Sequence, residues 1–315
     1  TGGDRASDLG QLVWYHVGSL PPTEESYVEA YENLLTLRQM GLEHLMIVHP
    51  EDTWHDGDGN ATLSTTAAPA KGGSDALSEY LEALGDLGYR YSLSANFRDI
   101  SPLNEKWDPD LAAQTTDGNL VRSKPGRFLI KPTSARRVAS GHLSNIAENF
   151  GNHATFIDAH ADTPPWCRVD HDSRLSHPSR YIDTLLAERA LLEQVAGEHP
   201  AVGTGGVHWL YAGLLSGTLA PLSGPHPCKR AALVDFDLRN LHSSATLVGV
   251  GTIDAFYDNE VPDNERDSRS DYLIRYLTAT VTYGHACLLP DIERWGVESV
   301  VKAYYLLQNL QTCYL

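Results

Sequence analysis

The chain has 315 residues, 42% of them hydrophobic, and a formal net charge of −17. That length and apolar content suffice for a full core in one large domain or two small ones. The acidic excess repels nucleic-acid backbones and anionic membrane surfaces and favours a neutral or cationic partner. Asp outnumbers Glu, and six lysines stand against eighteen arginines. A carboxylate-rich, lysine-poor surface fits a high-salt source, with an ordinary acidic protein as the plainer reading. Cys167, Cys228, Cys287 and Cys313 form no CxxC pair, so neither a disulfide framework nor a structural zinc site is indicated. No apolar run reaches membrane-span length. Thr1-Gly2-Gly3-Asp4 lacks a basic leader and an initiator Met, as expected of a processed protein or an excised domain.

Along the chain, short apolar strands alternate with longer amphipathic segments, the signature of βαβ units and a parallel sheet. Leu12 to Val17 reads as a first strand and Glu24 to Met40 as a helix capped by Thr23. Leu45 to His49 is a second strand, followed by a Gly/Asp-rich loop and a helix from Ser74 to Leu87. Tyr91 to Asn96 is the third strand. An excursion over about 99–133, with hairpin-like pieces around Gly118 and Gly126, exceeds an ordinary barrel loop and reads as an insertion. A helix from Ser134 to Phe150 leads into a fourth strand, Thr155-Phe156-Ile157, which ends abruptly in Asp158-Ala159-His160-Ala161-Asp162. Tyr181 to Ala196 is a periodic helix, Ala201 to Gly206 a fifth strand and Ala231 to Leu238 a sixth. Leu247 to Gly251, a helix over Asp267 to Tyr283, His285 to Leu289 and a helix over Val297 to Leu310 complete eight units. The expected fold is α/β, a single (β/α)8 TIM-type barrel spanning 1–315.

Barrel sites lie at the carboxyl ends of strands, and here those ends are polar. Ser92, Ser94 and Asn96 alternate with Leu93 and Ala95; Asp235 and Asp237 alternate with Val234, Phe236 and Leu238. Period two likewise gives Phe156, Asp158 and His160 a common face. With Trp54, His55, Arg98, Asp99, Lys131, His208 and Trp209, the mouth becomes a bowl of carboxylates, histidines and tryptophans. Paired carboxylates stabilise and attack an oxocarbenium-like centre, while indoles stack on a sugar ring. Asp158, His160, Asp162, Asp170 and His171 also offer hard ligands for a metal-dependent hydrolase, although their spacing matches no zinc motif. Asp158 has a structural alternative as an ion-pair partner of Arg98 or Lys131.

The order of these features resembles the catalytic barrel of the glycoside hydrolase families of endo- and exo-α-N-acetylgalactosaminidases, families 101 and 129. The resemblance is remote and runs along most of the chain. It rests on Glu51-Asp52-Thr53-Trp54, Ala95-Asn96-Phe97-Arg98-Asp99, Phe156-Ile157-Asp158, Cys167 with Asp170, His177-Pro178-Ser179-Arg180, and Leu233-Val234-Asp235-Phe236-Asp237. It implies a retaining mechanism with Asp158 as nucleophile and Asp237 as a substrate-binding carboxylate. The chain departs from the family where the fifth strand carries the general-acid Glu: Gly203-Thr204-Gly205-Gly206-Val207-His208-Trp209 has no acid. Asp235, next to Asp237 on one strand face, or Glu260 is the candidate replacement, since one member of a close carboxylate pair holds its proton near neutral pH.

The polar strand ends point to a sugar, and the resemblance implies a retaining hydrolase of an α-linked, galacto- or N-acetylgalactosamine-type glycoside. Its catalytic groups are Asp158 as nucleophile and Asp235 or Glu260 as acid/base. Trp54, His55, Asn96, Arg98, Asp99, Lys131, His160, His208, Trp209 and Asp237 contact a carbohydrate substrate, and no cofactor or metal is needed. The alternatives are a sugar-binding barrel that has lost hydrolysis and a metal-dependent hydrolase.

Overall fold

In a computed structural model, the described residues are 12–17, 26–55, 63–174, 180–203, 208–211, 213–219, 246–247, 253, 269–283 and 287–309. The first three units are β1 (Val13–His16), α1 (Tyr27–Gln39), β2 (Leu45–His49), α2 (Gly73–Asp86) and β3 (Arg90–Ala95). Helix α1 begins later than Thr23 predicts, because Ser26 and Glu29 form a reciprocal capping box that satisfies two first-turn donors. The excursion holds three short strands, β4 (Asp99–Ile100), β5 (Arg122–Lys124) and β6 (Arg127–Leu129). They form a separate antiparallel sheet in the order β4-β6-β5. Pro125 and Gly126 make its tight turn, with Gly126 at φ +75°, where only glycine is free of Cβ strain.

Helix α3 (Pro132–Phe150) starts on a proline, whose missing N–H would be unpaired there in any case. Then come β7 (Ala154–Ile157), α4 (Tyr181–Glu198), β8 (Ala201–Gly203), β9 (Gly217–Thr218), β10 (Thr246–Leu247), α5 (Arg269–Tyr283), β11 (Leu288–Leu289) and α6 (Val297–Leu307). The main sheet has eight strands in the order β10-β9-β8-β7-β3-β2-β1-β11. Every pairing within it is parallel.

The sheet is curled. Trp14 of β1 and Phe156 of β7 are separated in it by β2 and β3, which in a flat sheet would put them roughly 14 Å apart. Their ring centroids are 6.4 Å apart. The concave face buries Trp14, Met46, Val48, Ala154, Phe156, Val202 and Leu288 in one cluster. Its convex face packs Val13, Tyr15, Leu45, Ile47, Tyr91 and Leu93 against the helices in another. This order is that of a TIM-type barrel with one seam open: among the described residues, no pairing joins β10 to β11. The predicted sixth strand, Ala231 to Leu238, lies outside the described residues. Gly217–Thr218 is the strand that pairs with β8.

Candidate active site

The site is built where β3 and β7 end side by side. Ser94 pairs in register with Phe156, and Ala95 with Ile157. Paired positions of parallel strands project to the same side, so Ser92 and Ser94 share the concave face with Phe156. One step beyond, the Asp158 amide donates to the Ala95 carbonyl at 3.0 Å. That bond extends the ladder by one residue and holds the half-buried Asp158 at the sheet's carboxyl edge, where alternation from Phe156 points toward the concave side. Ala159 then adopts φ +57°, a left-handed conformation that costs an L-residue about 1 kcal/mol. Such outliers concentrate at functional sites.

The left-handed residue corrects the prediction for His160. Strict alternation places His160 beside Phe156 and Asp158, but the turn at Ala159 ends the alternation and sends the imidazole into the protein, where it is 1% exposed. The Phe97 amide donates to His160 Nε2 at 3.1 Å. With Nε2 accepting, the ring proton sits on Nδ1 and is donated to Glu188 Oε2 of α4 at 3.0 Å. Arg168 binds the other Glu188 oxygen. It also approaches His160 Nδ1 at 3.0 Å, which in this tautomer is a contact between donors and not a bond. Burial, followed by the Arg168 charge, holds the His160 pKa below its ordinary value. Burial alone would raise Glu188, but the Arg168 charge and the hydrogen bonds from His160 and Arg168 outweigh it and hold its pKa below the ordinary value. His160 therefore ties the ends of β3 and β7 to α4, with neither ring nitrogen left for a sugar.

Several other predicted contacts also have internal partners. Trp54 is 1% exposed and donates its Nε1 proton to the Ser94 carbonyl at 3.2 Å. His55 packs edge-on against it at 4.8 Å and is likewise buried. Asp99 pairs with Arg127 at 3.3 Å within the antiparallel sheet. Lys131 donates to Asp172 at 2.7 Å and to the Asp110 carbonyl at 2.8 Å. These buried charges fix the segment over 99–133 in place and tie it to the chain at Asp172, because each would otherwise be desolvated without compensation.

Asn96 and Arg98 stay with Asp158 at the strand edge. Asn96 Oδ1 accepts from the Arg98 amide at 2.7 Å, turning the chain, and the half-buried Arg98 has an Nε without a hydrogen-bond partner. His208 is reached through its amide, which donates to the Ala161 carbonyl at 2.7 Å and brings the segment after β8 against the Asp158 loop. Asp235, Asp237 and Glu260 lie outside the described residues, as does the Trp209 side chain.

His16 is a site residue that the sequence reading passed over. It pairs in register with Val48, so it faces the concave side, and its ring meets Phe156 edge-on at 5.3 Å. Its Nε2 is buried without a partner, and burial lowers its pKa to about 4. The signal was present in Trp14-Tyr15-His16, where the same alternation used for the third strand points Trp14 and His16 inward. The Ser92 and Ser94 hydroxyls on this face also have no partner. The proposed metal donors do not converge: among the described residues, no group of three or more His, Cys, Asp or Glu is placed to hold an ion.

No family model matches the chain, and no curated protein matches it. Solved structures do. The ligand-free α-N-acetylgalactosaminidase NagBb from Bifidobacterium bifidum superposes with a TM-score of 0.64 at 16% identity, over 98% of this chain and 53% of that one. Its complex with GalNAc gives 0.62 at 15% identity, over 96% and 52%. The GH36 α-galactosidase AgaA A355E D478A from Geobacillus stearothermophilus, in complex with stachyose, gives 0.62 at 12% identity, over 96% and 41%. The likeness is one of fold. The chain spans about half the length of the first of these proteins, 53%.

Proposed function

We propose that the chain is a (β/α)8 catalytic barrel with an insertion at about 99–133, and that it is a retaining hydrolase of α-linked glycosides. The observation that carries this reading is the position of Asp158: one residue past β7 at the carboxyl edge of the sheet, held by its amide to β3, and followed at once by a left-handed residue. Support comes from the fold, whose solved examples carry names of α-galactosidases and α-N-acetylgalactosaminidases. In this mechanism the Asp158 carboxylate attacks the anomeric carbon while an acid protonates the departing oxygen. Water then hydrolyses the glycosyl ester with the same residue acting as base. Asp235 or Glu260 supplies the acid, and Asn96, Arg98, His208, Asp237 and the newly found His16 contact the sugar. An acid must stand about 5 Å from Asp158.

Asp158→Ala, assayed on aryl α-galactosides and aryl α-N-acetylgalactosaminides, tests this. Turnover falls at least a thousandfold if Asp158 is the nucleophile, and an undiminished rate removes it from the mechanism. One observation favours a second reading: β8 ends at Gly203 with no acid in the segment after it, as in a barrel that binds sugars without cleaving them. Turnover abolished by Asp235→Asn or Glu260→Gln excludes that reading.

A further inference from the structure

Beside the Asp158 loop, the protein surface carries two large aromatic rings that the site does not use. Trp166 is 53% exposed and Tyr181 42%. They stack with centroids 6.0 Å apart and planes 21° from parallel, and the His208 ring meets Trp166 edge-on at 5.5 Å. Most other large exposed apolar side chains, such as Val28, Leu186 and Ile274, are aliphatic and stand on helices; the exposed Tyr305 commits its hydroxyl to the Met40 carbonyl. Among the described residues, Trp166 and Tyr181 are the exposed aromatic rings that adjoin each other.

The pair is also held rigidly. Trp166 belongs to the short 3-10 turn Pro165–Arg168, entered through two consecutive prolines. Arg168, two residues on, anchors that turn to the fully buried Glu188 of α4, the helix that begins at Tyr181. His208, whose amide is bonded to Ala161, closes the third side. Keeping an indole half in water and fixing it from below is the arrangement of a preorganised binding surface, since little further ordering is needed when a ligand arrives. The turn leaves from the carboxyl end of β7, so the platform lies at the same end of the sheet as Asp158.

We propose that Trp166 and Tyr181 form a stacking platform for a neutral sugar unit of an oligosaccharide whose neighbouring unit sits at Asp158. A pyranose has an apolar face that stacks on an aromatic ring and a polar rim that stays hydrated. The occupant is uncharged, because the chain carries a net charge of −17 and would repel an acidic glycan. This deepens the reading of the site as a glycosidase and rests on it.

The test compares wild type, Trp166→Ala and Trp166→Tyr on an aryl monosaccharide glycoside and on neutral oligosaccharides ending in the same sugar. Trp166→Ala is expected to lose about tenfold more kcat/KM on the oligosaccharide than on the aryl glycoside, the size of one aromatic stacking contact, and Trp166→Tyr to restore most of it. Equal losses on both substrates, or none, overturn the platform. If no glycoside is hydrolysed, the glycosidase reading fails, and calorimetric titration of the wild type with the same oligosaccharides decides the platform alone. Binding weakened about tenfold by Trp166→Ala upholds it. Binding indifferent to Trp166, absent binding, or a loss of self-association with sugar binding unchanged overturns it.

Discussion

The Asp158 amide donates to the Ala95 carbonyl at 3.0 Å, and this bond carries the parallel ladder between β7 and β3 one residue past the end of either strand. It holds Asp158 level with Asn96 at the edge of the sheet, while the side chain two residues further on turns inward to Glu188. One carboxylate thus stands at the carboxyl edge of the sheet, and the other, Glu188 of α4, is buried behind the loop that follows it.

Glu188→Ala leaves Arg168 buried without its counter-charge and His160 without its acceptor. Removing one partner of a buried ion pair costs about 3–5 kcal/mol. Chemical unfolding should show a loss of that size, with activity falling because the loop drifts. Glu188→Gln, which keeps an acceptor for His160, should recover part of both. A stability change below 1 kcal/mol for Glu188→Ala would contradict the support role.

Lys131→Met removes a buried cation from Asp172, which retains Arg174 at 2.8 Å. Because one partner remains, the expected cost is about 2 kcal/mol, read as a lower Tm, with KM unchanged. A raised KM at unchanged Tm would return Lys131 to the sugar.

Acid should weaken the fold before its carboxylates protonate. Burial lowers the pKa of His16 to about 4 and of His49 and His142 to about 3. The unfolded chain takes protons on these rings near pH 6.5. Between that pH and the folded-state values, the unfolded state binds protons that the folded state refuses. Stability is therefore full above pH 6.5 and declines below it, by roughly 1.4 kcal/mol per pH unit for each histidine. Tm measured from pH 8 to pH 4.5 should be level at first and then drop below pH 6.5. A level Tm down to pH 5 would contradict the burial of these rings.

Ala159 offers a test of the turn itself. Ala159→Gly removes the Cβ penalty at φ +57° and should leave stability unchanged or raise it by about 1 kcal/mol, whereas Ala159→Val should cost about 2 kcal/mol. A fold indifferent to valine would mean that the left-handed turn is not kept.

Much of the fold was legible because strands and helices write different periods into the sequence. Leu45–His49 matches its predicted bounds, and β1, β3, β7 and β8 fall within a residue or so of where alternation and apolar runs begin them, with 204–206 of the predicted fifth strand outside the described residues. Length and turn glycines set 99–133 apart in the sequence, but they did not show that it holds an antiparallel sheet of its own. Gly217–Thr218 escaped notice because two residues, one a glycine, carry no period. In the site, alternation from Phe156 was carried one step too far to His160, since nothing in an alanine announces a left-handed turn. The residues with internal partners, Trp54, Asp99 and Lys131, show the limit of reading polarity at strand ends: Asp110 and Asp172 lie far along the chain from Lys131, and only the folded insertion brings them to it.

In the proposed mechanism Asp158 forms a covalent bond with the sugar. Incubation with a slow-turnover fluoroglycosyl fluoride of α configuration, followed by proteolysis and mass spectrometry, reads this directly. One added glycosyl group is expected on the peptide that contains Phe156-Ile157-Asp158, absent in Asp158→Ala. An adduct on another carboxylate, or turnover with inversion and no adduct, would contradict it.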